Sequence, residues 1–358
     1  MISKHHASKA STLANRFPEN PILTPVQVRP SREDMEVECI LNPGVFQYAG
    51  KTWLLVRVAE RPKQENDWIS FPVLEDSEHL IVKRYRRDHP DLDLSDPRII
   101  RVGSSFYLTT LSHLRLFCSS DGVHFNEPDD RPSIIFPHGV HETFGIEDCR
   151  VTTMGDQFLL TYTAVSENGV AVGCMRTTDW VHFERLGLIM PPHNKDCAIF
   201  GEPVNGLHHC LHRPSGIDLG GNFIWMAESP DLVHWGNHRC IARTRAGQWD
   251  EARVGAGAAP VKTSEGWLEI YHGADKHHRY CLGALLLDAN QPYRVLARSR
   301  LPIMTPDMDY EQKGFFGNVV FTNGHIAEGD LLTMYYGASD TVICGATFSI
   351  REILDSLK

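Results

Sequence analysis

The chain has 358 residues, 22% of them charged and 42% hydrophobic, with a formal net charge of −10. An acidic balance with no basic run argues against a nucleic-acid partner, and the lack of any apolar stretch of 18 residues argues against a membrane span. The nine cysteines are scattered, several of them in apolar strands (Cys174, Cys210, Cys281), and Met1 to Ala14 lacks the apolar core of a secretory signal, which points to reduced thiols in a cytoplasmic protein.

Residues 1–30 carry Pro18, Pro21, Pro25 and Pro30, which block regular structure and predict an extended N-terminal arm. Beyond the arm one phrase recurs, a Gly turn followed by an aromatic or aliphatic strand. It runs from Gly50 to Val56, Gly103 to Leu108, Gly155 to Leu160, Gly206 to Leu211, Gly266 to Tyr271 and Gly329 to Tyr336. Strand, Gly turn, strand is a hairpin signal. A second phrase is interleaved with it. Ser120-Asp121-Gly122-Val123-His124-Phe125 returns 58 residues later as Thr178-Asp179-Trp180-Val181-His182-Phe183, and 52 residues further on as Pro230-Asp231-Leu232-Val233-His234-Trp235. A period near 50 marks a repeat architecture whose units need neighbours to bury their faces. The two phrases predict an all-β fold built from the blades of a β-propeller, as one domain over 1–358. A β-sandwich gives no reason to repeat a six-residue phrase. Helix is scarce, and the clearest candidate is Ser349 to Lys358.

A propeller gathers loops from every blade around one end of a central channel. Four stretches place polar groups beside Gly, Pro or Asn at blade starts: Leu41–Gly44, Phe144–Arg150, His193–Asp196 and Gly337–Thr341. In the second, Asp148 lies just before a strand, and a carboxylic acid at the mouth of a concave site suits general acid work. An Asp that caps a turn and pairs with Arg150 fits the same spacing. The pairs His208-His209 and His277-His278 do not suit a metal, because neighbours on a strand point to opposite faces. No metal and no cofactor are expected.

The run Phe144–Thr152, then Asn194-Lys195-Asp196, Leu211-His212-Arg213-Pro214, Val254–Gly257 with Tyr271-His272-Gly273, Gly314–Phe321 and Tyr335–Thr341 resembles glycoside hydrolase family 130, from about residue 18 to 356. The resemblance implies a five-bladed β-propeller, with two of the six hairpin phrases, the first and last, sharing or flanking a blade. It implies inverting chemistry on β-mannosides, by phosphorolysis or, in fewer members, hydrolysis. Asp148 matches the catalytic acid, which in some members acts through a sugar hydroxyl. Asn42, Arg57 and Asp340 match positions that hold the mannosyl ring, and Asn194, Arg253 and His272 match positions that line a phosphate site. Glu147, Arg150, Lys195 and Asp196, on the same stretches, are further candidates for sugar contacts. The expected partners are a manno-oligosaccharide and inorganic phosphate as co-substrate, with assembly as a homo-oligomer left open.

An inverting phosphorolysis needs one carboxylic acid and cationic donors for the phosphate, whereas an inverting hydrolase needs a second carboxylate to activate water. This chain departs from the usual phosphorylase pattern. His193 stands where an Arg is common before Asn-Lys-Asp, Gly201-Glu202-Pro203-Val204 lacks a customary Lys, and Glu251 stands two residues before Arg253 where a small residue is usual. His193 could replace the lost cation in part, and Glu251 is the candidate base of a hydrolase. Asp309–Phe321 and Ser349–Leu354 look most like the branch acting on β-1,2-linked oligomannosides. The residues therefore predict a β-1,2-mannoside phosphorylase, with a β-1,2-mannosidase using Glu251 as the alternative. A non-catalytic mannoside-binding propeller is the reading of another class, with Trp180, Trp225, Trp235, Trp249 and Tyr280 as stacking platforms or core.

Overall fold

Tight turns set the fold. Ala49 and Gly50 both have positive φ, 50° and 73°, the conformation of a primed hairpin turn, and Tyr48 pairs with Lys51 across them. The computed structural model describes residues 12–96, 98–216 and 220–358. Among them, five antiparallel sheets of four main strands follow one another along the chain. Sheet I holds Met35–Tyr48, Lys51–Pro62, Leu111–Ser119 and Ile134–Ile135. Sheet II holds Gly145–Met154, Gln157–Ser166, Gly169–Thr177 and Glu184–Met190, and one parallel bridge, Gly145 with Ser112, links it to sheet I. Sheet III holds Asn194–Ile199, His208–Pro214, Ile224–Ser229 and Gly236–Ala242. Sheet IV holds Arg253–Ala256, Gly266–Ala274, Tyr280–Leu287 and Val295–Arg298, with Val261–Thr263 beside the second of them. Sheet V holds Val320–Glu328, Leu331–Ala338 and Val342–Ser349, and its fourth strand is Asn15–Arg16.

The apolar residues of these strands meet between neighbouring sheets. Phe46 and Trp180 stack at 3.7 Å between sheets I and II, and Cys174 and Cys197 meet between II and III. Phe200 and Trp267 pack between III and IV, Leu268 and Met334 between IV and V, and Val56 and Tyr335 between V and I. Each neighbouring pair thus has its own core, sheet V with sheet I included. All nine cysteines are free. No helix among the described residues is long and apolar enough to cross a membrane.

Five of the six Gly hairpins fall one to a sheet. The sixth, at Gly103, belongs to a three-stranded sheet, Leu92–Asp96, Ile99–Val102 and Ser105–Leu108. With the hairpin Trp68–Glu75 and His79–Arg86 it forms an insertion between the second and third strands of sheet I. The expectation that the first and last hairpins share or flank a blade is therefore corrected: each has a sheet of its own, and the second is the extra one. The arm is also more regular than its prolines predict. It supplies the short strand of sheet V and a 3₁₀ turn at Pro25–Gln27, while its first eleven residues lie outside the described residues. The C-terminal helix covers Ile350–Ser356, with Ser349 Oγ accepting from Glu352 N–H as its cap.

The repeated Asp-x-x-His phrase is a turn former. Asp121 Oδ1 accepts from the backbone N–H of Val123 and His124, both at 2.9 Å, and Oδ2 meets His124 Nδ1 at 2.8 Å. Asp179 with His182 and Asp231 with His234 repeat the arrangement. In sheet IV, Asp288 closes the same turn on Asn290 and Gln291 without a histidine. Each of these turns follows the third strand of its sheet.

Candidate active site

The first strands of sheets I, II, III and V are each interrupted by a β-bulge, between Leu41 and Gly44, Glu147 and Arg150, Lys195 and Ala198, and Thr322 and Gly324. A bulge re-aims the side chain that it carries. Asn42, Asp148 and Asp196 occupy three of them with φ of 35°, 49° and 54°. This left-handed region disfavours most side chains, and Asn and Asp tolerate it best. All three are buried. Buried polar side chains turned out of the sheet at the same step of successive sheets make the site.

Asp148 is its centre. Its Oδ1 accepts from Asn42 Nδ2 at 3.1 Å and from Arg57 Nη1 at 3.3 Å. Arg57 also donates from Nη2 to Glu147 Oε1 at 2.8 Å and from Nε to Ser112 Oγ at 3.0 Å. Burial would raise the Asp148 pKa, but Arg57, Lys195, Arg150 and the Asn42 hydrogen bond outweigh it and hold the carboxyl below its ordinary value. Asp340 goes the other way. It sits on a turn with φ of 50°, and burial, with Asp148 and Glu147 adding to it against Arg57, pushes its pKa up to about 6. Two carboxyls in one field are thus driven apart, which is how a site separates acid and base states.

On the far side of Arg150 lies a cluster of cations. Arg150 is 1% exposed and donates to the carbonyls of Gly257, Ala256 and Asp148 at 2.7, 2.9 and 3.0 Å. Its Nη2 lies 3.3 Å from Asp196 Oδ1. The other oxygen of Asp196 lies 3.0 Å from Arg213 Nε and 3.4 Å from His272 Nε2. Burial opposes the Asp196 charge, but Arg213, Arg150 and Lys195 hold its pKa far below the usual carboxylate range. Burial drives the His272 pKa down to about 3, so the ring is neutral. Arg253 Nη1 donates to Tyr280 Oη at 2.9 Å. Asn194, which is buried, meets His212.

The structure therefore gathers Asn42, Arg57, Glu147 and Asp148 in one bonded group and Arg150, Asp196 and His272 in another. Lys195 bears on both, acting on Asp148, Asp196 and Asp340. Asn194 and Arg253 bond outside both groups, to His212 and Tyr280, and two further candidates stand away from them. His193 is exposed and takes the Val170 N–H at 3.4 Å, and Glu251 turns back onto its own loop, Oε2 accepting from Gly247 N–H at 3.0 Å. Trp180 is core. Arg213 was not among the sequence candidates, although it stands in the Leu211–Pro214 run. Its signal was a cation next to Pro at a strand end, and only the fold shows that it faces Asp196. Among the described residues no group of three His, Cys, Asp or Glu side chains suits a metal ion.

A cleft of about 630 Å³ is lined by Lys51, Asp121, Glu328 and Tyr335 and does not include Asp148. A smaller cavity of about 250 Å³ is lined by Glu38, Arg61, Gln64, Arg87, Asp96 and Phe315. It adjoins the site, since Arg61 follows Arg57 on one strand and Phe315 N–H donates to Thr341 Oγ1, next to Asp340, at 2.8 Å.

The chain is similar to known mannoside phosphorylases over most of its length. A family model described as beta-1,4-mannooligosaccharide phosphorylase matches residues 110–358. The chain is 45% identical over 349 residues to a β-1,2-mannobiose phosphorylase of Listeria innocua, covering 96% of this chain and 98% of that one. It is 34% identical over 248 residues to a 1,2-β-oligomannan phosphorylase of a Thermoanaerobacter species, covering 68% of this chain and 80% of the other. The solved structure of the Listeria innocua protein with β-1,2-mannobiose superposes with a TM-score of 0.90 over 96% of this chain and 99% of that chain.

Proposed function

Because the chain belongs to glycoside hydrolase family 130, we propose that it is an inverting β-mannoside phosphorylase, cleaving β-1,2-linked manno-oligosaccharides with inorganic phosphate to give α-mannose 1-phosphate. The observation that carries the reading is the contrast between the two ends of the site. Asp148 sits among sugar-holding groups with Glu147 and Asp340 beside it, and beyond it stand cations around Asp196 rather than a free carboxylate base. Asp196 is held ionised by Arg213 and Arg150 and cannot take a proton from water near neutral pH. An anion site beside the acid, with no free carboxylate base in it, suits phosphate as the nucleophile.

In this reading Asn42, Arg57 and Asp340 hold the mannosyl ring, while Asn194, Arg213, Arg253 and His272 hold phosphate. Glu147 and Arg150 fix Arg57 and the backbone of Asp148. The resting site favours an ionised Asp148, so the acid takes up its proton as substrates bind. A phosphate dianion close by and a sugar that excludes water both raise a carboxyl pKa. Asp148 then gives the proton to the glycosidic oxygen as the anomeric carbon–oxygen bond breaks. A phosphate oxygen forms the new bond from the opposite face, the shortened chain leaves as an alcohol, and Asp148 remains as carboxylate. The reverse run makes mannoside from the sugar phosphate. The cavity at Arg61 and Phe315 receives the leaving chain. The five sheets, with a core between each neighbouring pair, are read as a five-bladed propeller forming one domain over 1–358, and the free cysteines support a cytoplasmic location.

The test is incubation with β-1,2-mannobiose with and without phosphate. Release of α-mannose 1-phosphate only when phosphate is present is expected, and Glu251→Gln should retain it. Free mannose formed at full rate without phosphate, lost in Glu251→Gln, would establish the hydrolase instead.

A further inference from the structure

Behind Asn194 stand two imidazoles in series. His212, on the second strand of sheet III and 2% exposed, places Nδ1 3.0 Å from Asn194 Nδ2 and 3.1 Å from its Oδ1. Its Nε2 lies 3.0 Å from Nδ1 of His238, an exposed residue on the fourth strand. The contacts run from the anion end of the site across sheet III to solvent. The residue directly opposite His212 in the ladder is Trp225, whose side chain offers a donor but no acceptor.

A neutral imidazole donates from one nitrogen and accepts at the other. The series therefore has two settings. In one, His238 donates from Nδ1 to His212 Nε2, and His212 donates from Nδ1 to Asn194 Oδ1. The Asn194 NH₂ then keeps its hydrogens for a ligand. In the other, each donor and acceptor is reversed, one amide hydrogen is held by His212, and the carbonyl oxygen is left toward the ligand. An anion is held by donors and repelled by a carbonyl.

We propose that His212 and His238 are positioning residues that hold the Asn194 amide with its NH₂ toward bound phosphate. The proposal rests on the reading of Asn194 as part of the phosphate site. Burial, with His238 adding to it, pushes the His212 pKa down to about 3, so this ring carries a single proton whose place decides the setting. Neither histidine touches phosphate; both act through Asn194.

Imidazole ¹⁵N NMR of the histidine-labelled full chain, saturated with inorganic phosphate, reads the setting directly. The His212 signals are assigned by their loss in His212→Gln. A protonated Nδ1 and a bare Nε2 are expected, and the opposite pattern overturns the proposal. Kinetics give a second reading. His238 is exposed, so His238→Ala should fold. It should raise the KM for phosphate by about threefold to tenfold, the value of one hydrogen bond, and shift that for β-1,2-mannobiose by less than about twofold. His238→Asn, which restores an amide N–H near the place of Nδ1, should recover most of the loss. Equal shifts for both substrates, or none, overturn the proposal. Asn194→Ala separates the two layers. If it leaves the phosphate KM unchanged, the phosphate-site reading falls and the relay with it. If it raises that KM while His238→Ala does not, the relay alone falls.

Discussion

Asp148 and Asp340 differ in what their surroundings do to a proton, and each difference can be measured. Asp148→Asn keeps the hydrogen-bond partners of Arg57 and Asn42 but has no proton to give. Its phosphorolysis rate should fall by about 10² to 10⁴-fold with both substrates still bound, read from initial rates and from calorimetric binding of β-1,2-mannobiose. A rate near that of the wild type would remove Asp148 from the mechanism. For Asp340 the folded pKa of about 6 stands above the ordinary 3.8. Between those values the folded protein holds more protons than the unfolded chain, so stability falls as pH rises through that window. Asp340→Asn cannot ionise and escapes the loss. Its Tm should exceed that of the wild type above pH 6, the advantage shrinking toward pH 4, while mannoside turnover drops. An equal shift at every pH would show that burial of the charge is not the cause.

The bulged first strand brings these side chains together, and glycines opposite keep room for them. A Cβ on Gly337 would collide with Asn42, and one on Gly255 with Asp196 and His272. Gly337→Ala should therefore push Asn42 off Asp148. Displacement of that order typically costs about 10²-fold, expected here in turnover of the mannoside, with the phosphate KM little changed. Parallel losses in both substrates would mean that the whole strand has moved. The hairpins were legible in the sequence because Gly turns between apolar runs report local geometry. The turn-forming Asp-x-x-His phrase was legible as a repeat for the same reason. The bulges were not, since no local pattern marks where a strand gains a residue; Asn42, Asp148 and Asp196 were found by resemblance and polarity instead. Arg213 escaped because its role depends on Asp196, 17 positions earlier in the numbering, on the neighbouring strand. The insertion that displaced the hairpin count escaped because its strands use the same signals as those of the main sheets.

Sheet V joins the two ends of the chain. Asn15 pairs with Thr347 and Arg16 with Ala346, and Asn20 exchanges two hydrogen bonds with Gly345 at 2.7 and 2.8 Å. Arg16 also reaches Glu311, donating from Nε at 2.7 Å and Nη2 at 2.9 Å, while Tyr336 Oη and the N–H groups of Asp307 and Met308 complete the carboxylate. The Glu311 side chain is fully buried. Arg16→Ala leaves that charge without its cation, which should cost about 3 kcal/mol. The denaturant midpoint should fall with an unchanged slope; a shift under about 1 kcal/mol would mean that the other three donors suffice.

Asn15 and its partner Thr347 stand 332 positions apart, which fixes the order of events at the ribosome. At about 5 to 20 residues per second, the partner strand is made roughly a quarter of a minute to a minute after the arm. Through that interval Ile22, Leu23 and the flank of sheet I around Val56 wait for Tyr335 and Ile343, with which they share a core. A nascent chain thus carries an apolar flank until Tyr335 and Ile343 arrive to cover it. A chain terminated before Leu331 would lack both Tyr335 and Ile343 and leave that flank bare, and its expected fate is capture by chaperones or proteases rather than reduced activity.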